Sequence, residues 1–152
     1  MSLLGGATAT TSSLENTAWP PSKAIDGDFA GQKSKSSCTS TLISAAEWLR
    51  IELAASLPIR TVVHFNNEED LMISFFYHVG DDPDVSVNPK CQAGAYSDGG
   101  IYECALTGKY FGITTATSQR VQVCELRLFS RKTAFPYAVV TGAPAFSAFV
   151  SA

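Results

Sequence analysis

Nowhere in this chain does an apolar run approach the roughly 20 residues of a membrane span, so no transmembrane helix is expected. Histidine is scarce, with two in the whole chain (His64 and His78), and no two cysteines are spaced as CxxC, which excludes the common zinc patterns. Basic residues are not in excess: 11 Lys and Arg stand against 14 Asp and Glu, for a net charge of −3. The electrostatic footprint that duplex nucleic acid demands is therefore missing, and no nucleic acid partner is expected. Nor does any segment repeat with helical periodicity between caps; "STLISAAEWL" supports one short turn at most. The nucleophile elbow, the P-loop and HExxH are all absent. Glu68/Glu69 and Asp81/Asp82 are adjacent pairs whose side chains would leave a strand on opposite faces, poor geometry for acid–base work. The two histidines read as partly exposed strand residues, and Trp19 and Trp48 as core or sheet-packing residues rather than sugar platforms. An enzyme is not expected.

What is present is a chain of 152 residues with 45% hydrophobic content, enough for one domain with a real core. Short β-branched or aromatic runs alternate with Gly, Pro and Asp turns: "WLRIEL" (48–53), "IRTVVHF" (59–65), "MISFFYHVG" (72–80), "KYFGITT" (109–115) and "VQVCELRLF" (121–129). In the last, Val121, Val123, Glu125, Arg127 and Phe129 share one parity and Gln122, Cys124, Leu126 and Leu128 the other. Many short strands argue for an all-β antiparallel sandwich or jelly roll. After about residue 130 the composition changes. Residues 131–152 form a nearly uncharged tail with Phe135, Tyr137, Phe146 and Phe149, too apolar for a solvated end and broken by Pro136 and Pro144. Such a tail is expected to pack on its own domain, on another copy or on an assembly partner.

The four cysteines allow three pairings. Cys91 and Cys104 flank the turn-rich "QAGAYSDGGIYE", a loop that a bridge could close, which leaves Cys38 with Cys124. Each bridge would contribute roughly 3–5 kcal/mol in the chain-entropy picture. Disulfides place the protein in an extracellular or other oxidising compartment, against the alternative of four reduced thiols in a cytosolic protein. The opening "MSLLGGATAT" has neither the charged nor the apolar region of a signal peptide, so the leader is expected to be absent from this chain.

One stretch, "AIDGDFAGQKSKSSCTST" (24–41), is too polar for a core strand and has no helical period. Asp26, Asp28 and Ser37 supply oxygens within it, and Gly27 permits a tight backbone. Calcium takes six to eight oxygens from such loops, carbonyls included. If Cys38 pairs with Cys124, the neighbouring Glu125 becomes a ligand from the far end of the chain. Solvated Asx turns are the alternative.

From Ala7 to about Phe129 the chain resembles the F-type lectins, the fucolectins and their discoidin-like relatives. The resemblance rests on an ordered set: "ATTSS", "KAIDGD", "SCTST", "EWLRIEL", "HVGDDP" followed by "NPKC", Cys104 with "GKYFGI", and "VCELRLF". It implies an eight-stranded antiparallel jelly-roll β-sandwich over residues 1–130. It implies a structural Ca2+ held by the carboxylates of Asp26 and Glu125, by Asp28 and Ser37, and by the carbonyls of Lys23 and Cys124. The matching cysteines support the pairs Cys38–Cys124 and Cys91–Cys104.

The sugar pocket departs from the family. Its histidine position holds Ser40, and the loop "FNNEEDLMIS" keeps Asn66 but has Asn67 where the first arginine is expected and Leu71 near the second basic position. Glu68, Glu69 and Asp70 make the loop acidic. The cationic donors that grip fucose are gone, so the resemblance implies a carbohydrate-binding module with a changed specificity, its ligand met by Ser40, Asn66, Asn67, Glu68 and Asp70. Asn, Asp and Ser are competent partners for sugar hydroxyls. The alternative is an accessory subunit that uses the scaffold and the tail for protein–protein contact.

Overall fold

The structure, a computed structural model, describes residues 2–30, 36–66 and 72–132. Seven strands lie within the described residues: β1 Thr8–Thr11, β2 Thr39–Ser40, β3 Trp48–Phe65, β4 Phe75–Gly80, β5 Gly100–Thr115, β6 Gln122–Val123 and β7 Glu125–Phe129. Every pairing between them is antiparallel. No described helix is long and apolar enough to cross a membrane. The all-β antiparallel reading holds, with seven strands among the described residues.

The two runs at 48–53 and 59–65 are a single long strand, β3, with register shifts against β5 between Glu52 and Leu57 and between Ile59 and Thr61. Pro58 has no N–H to give the ladder, and Ala54, Ala55 and Ser56 are exposed beside it, so the strand bends there. The bend serves two neighbours on the same edge. The first half of β3 pairs with β1 and the second half with β7, while β5 runs along its other edge and β4 flanks β5. β2 and β6 make a separate two-stranded ladder.

Alternation decides the core. Leu49, Ile51 and Leu53 of β3, Phe75, Tyr77 and Val79 of β4, Phe111 and Ile113 of β5, and Leu126 and Leu128 of β7 are all buried. Tyr77 sits among Phe75, Tyr96, Tyr102 and Phe111, with ring centroids 4.6–5.7 Å away. The expected alternation along 121–129 holds only from Leu126 onward. Val121 to Glu125 are all buried, because β2 and the polar loop cover the outer parity as well.

Both histidines are buried, not partly exposed. His64 Nδ1 lies 2.8 Å from the Tyr77 hydroxyl and Nε2 lies 3.3 Å from the Gln122 carbonyl. The carbonyl can only accept, so Nε2 carries the proton and the tyrosine donates to Nδ1. Burial pushes the His64 pKa down to about 4. The depressed value means that His64 favours folding fully above its ordinary pKa of about 6.5 and progressively less as pH falls towards 4. Urea titration at pH 7.5 and 4.5 should show a loss on the order of 2–3 kcal/mol from this group, and His64→Gln should remove that part of the pH dependence. An unchanged pH slope in the variant would refute the assignment.

Gly108 and Gly80 allow a close backbone crossing between β5 and β4. A Cβ built on Gly108 would lie 2.4–2.5 Å from the Gly80 backbone, which cannot rotate away as a side chain could. Gly108→Ala should therefore destabilise the domain by about 1–3 kcal/mol, read as a fall in the thermal midpoint.

Candidate functional site

The polar loop of the opening residues is anchored where the sequence expected. Cys38 is bonded to Cys124 and Cys91 to Cys104, with S–S distances of 2.05 and 2.11 Å. The first bridge carries the loop to the start of β7, whose first residue is Glu125. Glu125 has no exposed surface. Its Oε2 accepts the Gly27 N–H at 3.0 Å, a contact that needs the positive φ of 86° at Gly27. Asp26 Oδ1 accepts from the Asp28 N–H and Asp28 Oδ1 from the Ala30 N–H, both at 2.9 Å. These are two successive Asx turns, which wind the loop against the carboxylate. Lys23 pairs with Asp26 at 3.6 Å. The Ser37 hydroxyl donates to the Ala30 carbonyl and touches the Cys38 sulfur.

Lys23, Asp26, Asp28, Ser37, Cys124 and Glu125 thus lie on one loop-and-strand unit, and two observations bear on a cation there. Glu125 Oε1 is buried without a hydrogen bond, although Arg127 Nε lies 3.3 Å away. That approach is close enough for an ion pair but lacks hydrogen-bond geometry. Burial above all, with added repulsion from Asp26 and Asp28, pushes the Glu125 pKa up to about 8, despite the Gly27 N–H and Arg127. A buried carboxylate under repulsion from two others has the donor chemistry that suits a divalent cation. Against this, no three His, Cys, Asp or Glu side chains among the described residues converge as metal ligands. The charge present in the structure is Arg127, whose guanidinium also lies 5.1 Å from the Phe29 ring. Sequence reasoning missed that role, although Arg127 stands two residues from Glu125 and shares its strand face.

The expected sugar-contact residues are less well assembled. Ser40 has no exposed surface; it is paired with Gln122 and its hydroxyl turns to the Thr41 carbonyl at 3.4 Å. In this arrangement the Ser40 hydroxyl serves the fold and offers no exposed surface. Asn66 is half-buried at the end of β3, against Gly99. Asn67, Glu68 and Asp70 lie outside the described residues, as does nearly all of the 131–152 tail. What flanks the loop end instead is apolar. Leu42, Ile43 and Ile73 are 51%, 57% and 59% exposed. Gln119 ties their two segments together, bridging to Ser44 and accepting the Ile73 N–H at 3.0 Å.

Comparison with solved structures decides the architecture. The chain aligns with a fucolectin from striped bass (Morone saxatilis) serum at a TM-score of 0.77, over 88% of its own length and 48% of the lectin's, with 23% identity. The chain has the F-type lectin fold. It spans about half of the bass lectin. A fucose-binding module of Streptococcus pneumoniae aligns at a TM-score of 0.72 and 16% identity, over 86% of this chain and 96% of the module. A Clostridium perfringens module solved with GalNAc-β-1,3-galactose aligns at 0.69 and 16% identity, over 85% of this chain and 99% of the module. No protein-family model matches the sequence. No curated protein sequence matches it.

Proposed function

We propose that the chain is a non-catalytic carbohydrate-binding module of an extracellular or other oxidising compartment, stabilised by calcium, whose loop-end pocket is not built for fucose. The observation that carries the reading is the F-type lectin fold itself, shared with proteins that bind fucose or a galactose-containing disaccharide. Two disulfides agree with the compartment. The change of specificity follows from chemistry. Charge-assisted hydrogen bonds contribute roughly 1.5–3 kcal/mol each, and the positions of the imidazole and the two cationic donors hold Ser40, Asn67 and Leu71. With Ser40 buried, the remaining polar contacts would come from Asn66 to Asp70.

Calcium would be held by Asp26, Asp28, Ser37 and Glu125 with the carbonyls of Lys23 and Cys124, and it would supply the charge that lets Glu125 stay ionised while buried. At a hundredfold excess over its dissociation constant the ion should add about 2.7 kcal/mol, a rise in the melting temperature of roughly 5–10 °C. Asp26→Ala should abolish the response. A melting temperature indifferent to both calcium and EDTA would refute the site.

A second reading has its own support. The exposed Leu42, Ile43 and Ile73 at the loop end, with the apolar tail, suit a contact with another copy or another protein better than a sugar. A glycan array followed by calorimetry, alongside light scattering with and without residues 133–152, separates the two. A neutral glycan bound with a Kd below about 1 mM and unaffected by truncation supports the lectin reading. A silent array with an oligomer lost on truncation supports the assembly reading, and saturable fucose binding would contradict the change of specificity.

A further inference from the structure

On the outer face of the sheet Trp48, Thr114 and Phe76 stand in one row. Thr114 is the register partner of Trp48 on one side and of Phe76 on the other. Two aromatic side chains, two strands and therefore roughly 9–10 Å apart, flank one small residue. The result is a cleft of about 550 Å³, whose walls include the Ala45–Glu47 turn and the segment carrying Asp84, Ser86 and Lys90. That volume is in the range of small-ligand sites. The next row closes one end, because Val85 packs on Gly112 so tightly that a Cβ there would lie 2.3 Å from the valine Cβ.

Each polar group around the cleft has a definable role. His78 Nδ1 lies 2.9 Å from the Asn88 carbonyl, so it carries the proton. Burial, its largest influence, lowers the His78 pKa and keeps the ring neutral at pH 7. Nε2, 2.7 Å from Thr114 Oγ1, must then accept the threonine proton. Thr114 Oγ1 is left as an acceptor at the floor of the cleft. Lys90 Nζ is held 3.7 Å from the centroid of Phe76, which places a donor above that floor. Asp84 is kept ionised by the Ser86 hydroxyl and amide, at 2.6 and 3.1 Å. Arg50, 5.5 Å from the Trp48 ring, is tethered to the Pro83 carbonyl at 2.8 Å.

We propose that this cleft is a second binding site, distinct from the loop-end pocket, for a neutral hydroxyl-rich ligand such as one residue of a glycan chain. The indole of Trp48 offers an apolar face for the carbon side of a sugar ring. Thr114 Oγ1 and Asp84 accept from its hydroxyls, and Lys90 donates. Glu47 and Asp84 are balanced by Lys90 and the neighbouring Arg50, so the cleft carries no net charge that would select an anionic sugar over a neutral one. The proposal does not depend on the loop-end reading, since it shares no residue with it.

The test is an NMR titration of the full chain with cellotetraose, laminaritetraose and chitotetraose. Two tryptophans make the Trp48 indole signal easy to assign through Trp48→Phe. At least one tetrasaccharide should move the Trp48 indole and the Thr114 and Lys90 amides saturably, without moving Asn66 or Gln119. Thr114→Val, nearly isosteric, should weaken that binding at least tenfold, and Trp48→Ala should abolish it. If no tetrasaccharide moves the Trp48 indole, if the shifts fall only at Asn66 and Gln119, or if Thr114→Val binds like the parent, the cleft is not a sugar site. Shifts confined to the loop end would at the same time favour the loop-end pocket, so the two readings fail separately.

Discussion

A carboxylate with no exposed surface must be compensated, and in this protein that demand organises the most polar segment of the chain. Glu125 is held beside the Cys38–Cys124 cystine, where it draws the Gly27 N–H inward and places Arg127 against its second oxygen. The Asx turns at Asp26 and Asp28 then wind the loop so that both acids lie near Glu125. Without the bridge and the buried acceptor, residues 24–30 would have little apolar surface to keep them folded; Ala24 alone in that stretch is fully buried. The same loop covers one face of 121–125, which is why that segment is buried on both parities.

Backbone proximity is the second organising constraint. β4 and β5 approach at Gly80 and Gly108, and the Val85 turn settles on Gly112. These contacts fold the 81–90 segment back over the outer sheet face. They bring Asp84, Ser86 and Lys90 to a row of side chains that would otherwise be an ordinary solvated surface. Two faces of one sandwich thus acquire different chemistry, an apolar rim at the loop end and an aromatic, mixed-charge cleft on the sheet.

Much of the fold was legible in the sequence because its signals are local. Period-two alternation marked 48–53 and 121–129, β-branched and aromatic runs marked 59–65, 72–80 and 109–115, and Gly, Pro and Asp marked the turns. The cysteine pairs followed from loop closure and resemblance. Where reading failed, the cause was non-local. The runs at 48–53 and 59–65 looked separate, yet both edges of the bent strand are occupied, so the ladder continues through the bulge. His64 and His78 looked exposed because strand position says nothing about what a neighbouring element covers.

The candidate sites divide along the same line. The proposal of a pocket not built for fucose rests on residue types set against the resembled family, since no packing makes Ser, Asn or Leu a cationic donor. The gathering of Asp26, Asp28, Ser37 and Glu125 could be proposed once Cys38 and Cys124 were paired, because a covalent link makes a distant contact local. Arg127 as the counter-charge, and the Trp48–Thr114–Phe76 row, were decided only by tertiary structure. The row's residues lie far apart in the chain and meet through strand register, while Arg127 gains its role because Glu125, two residues away, is buried. By itself the sequence determined an all-β, disulfide-linked domain. Which polar groups are buried, and which aromatics share a face, depended on how three strands align, a choice settled by the packing of the whole core.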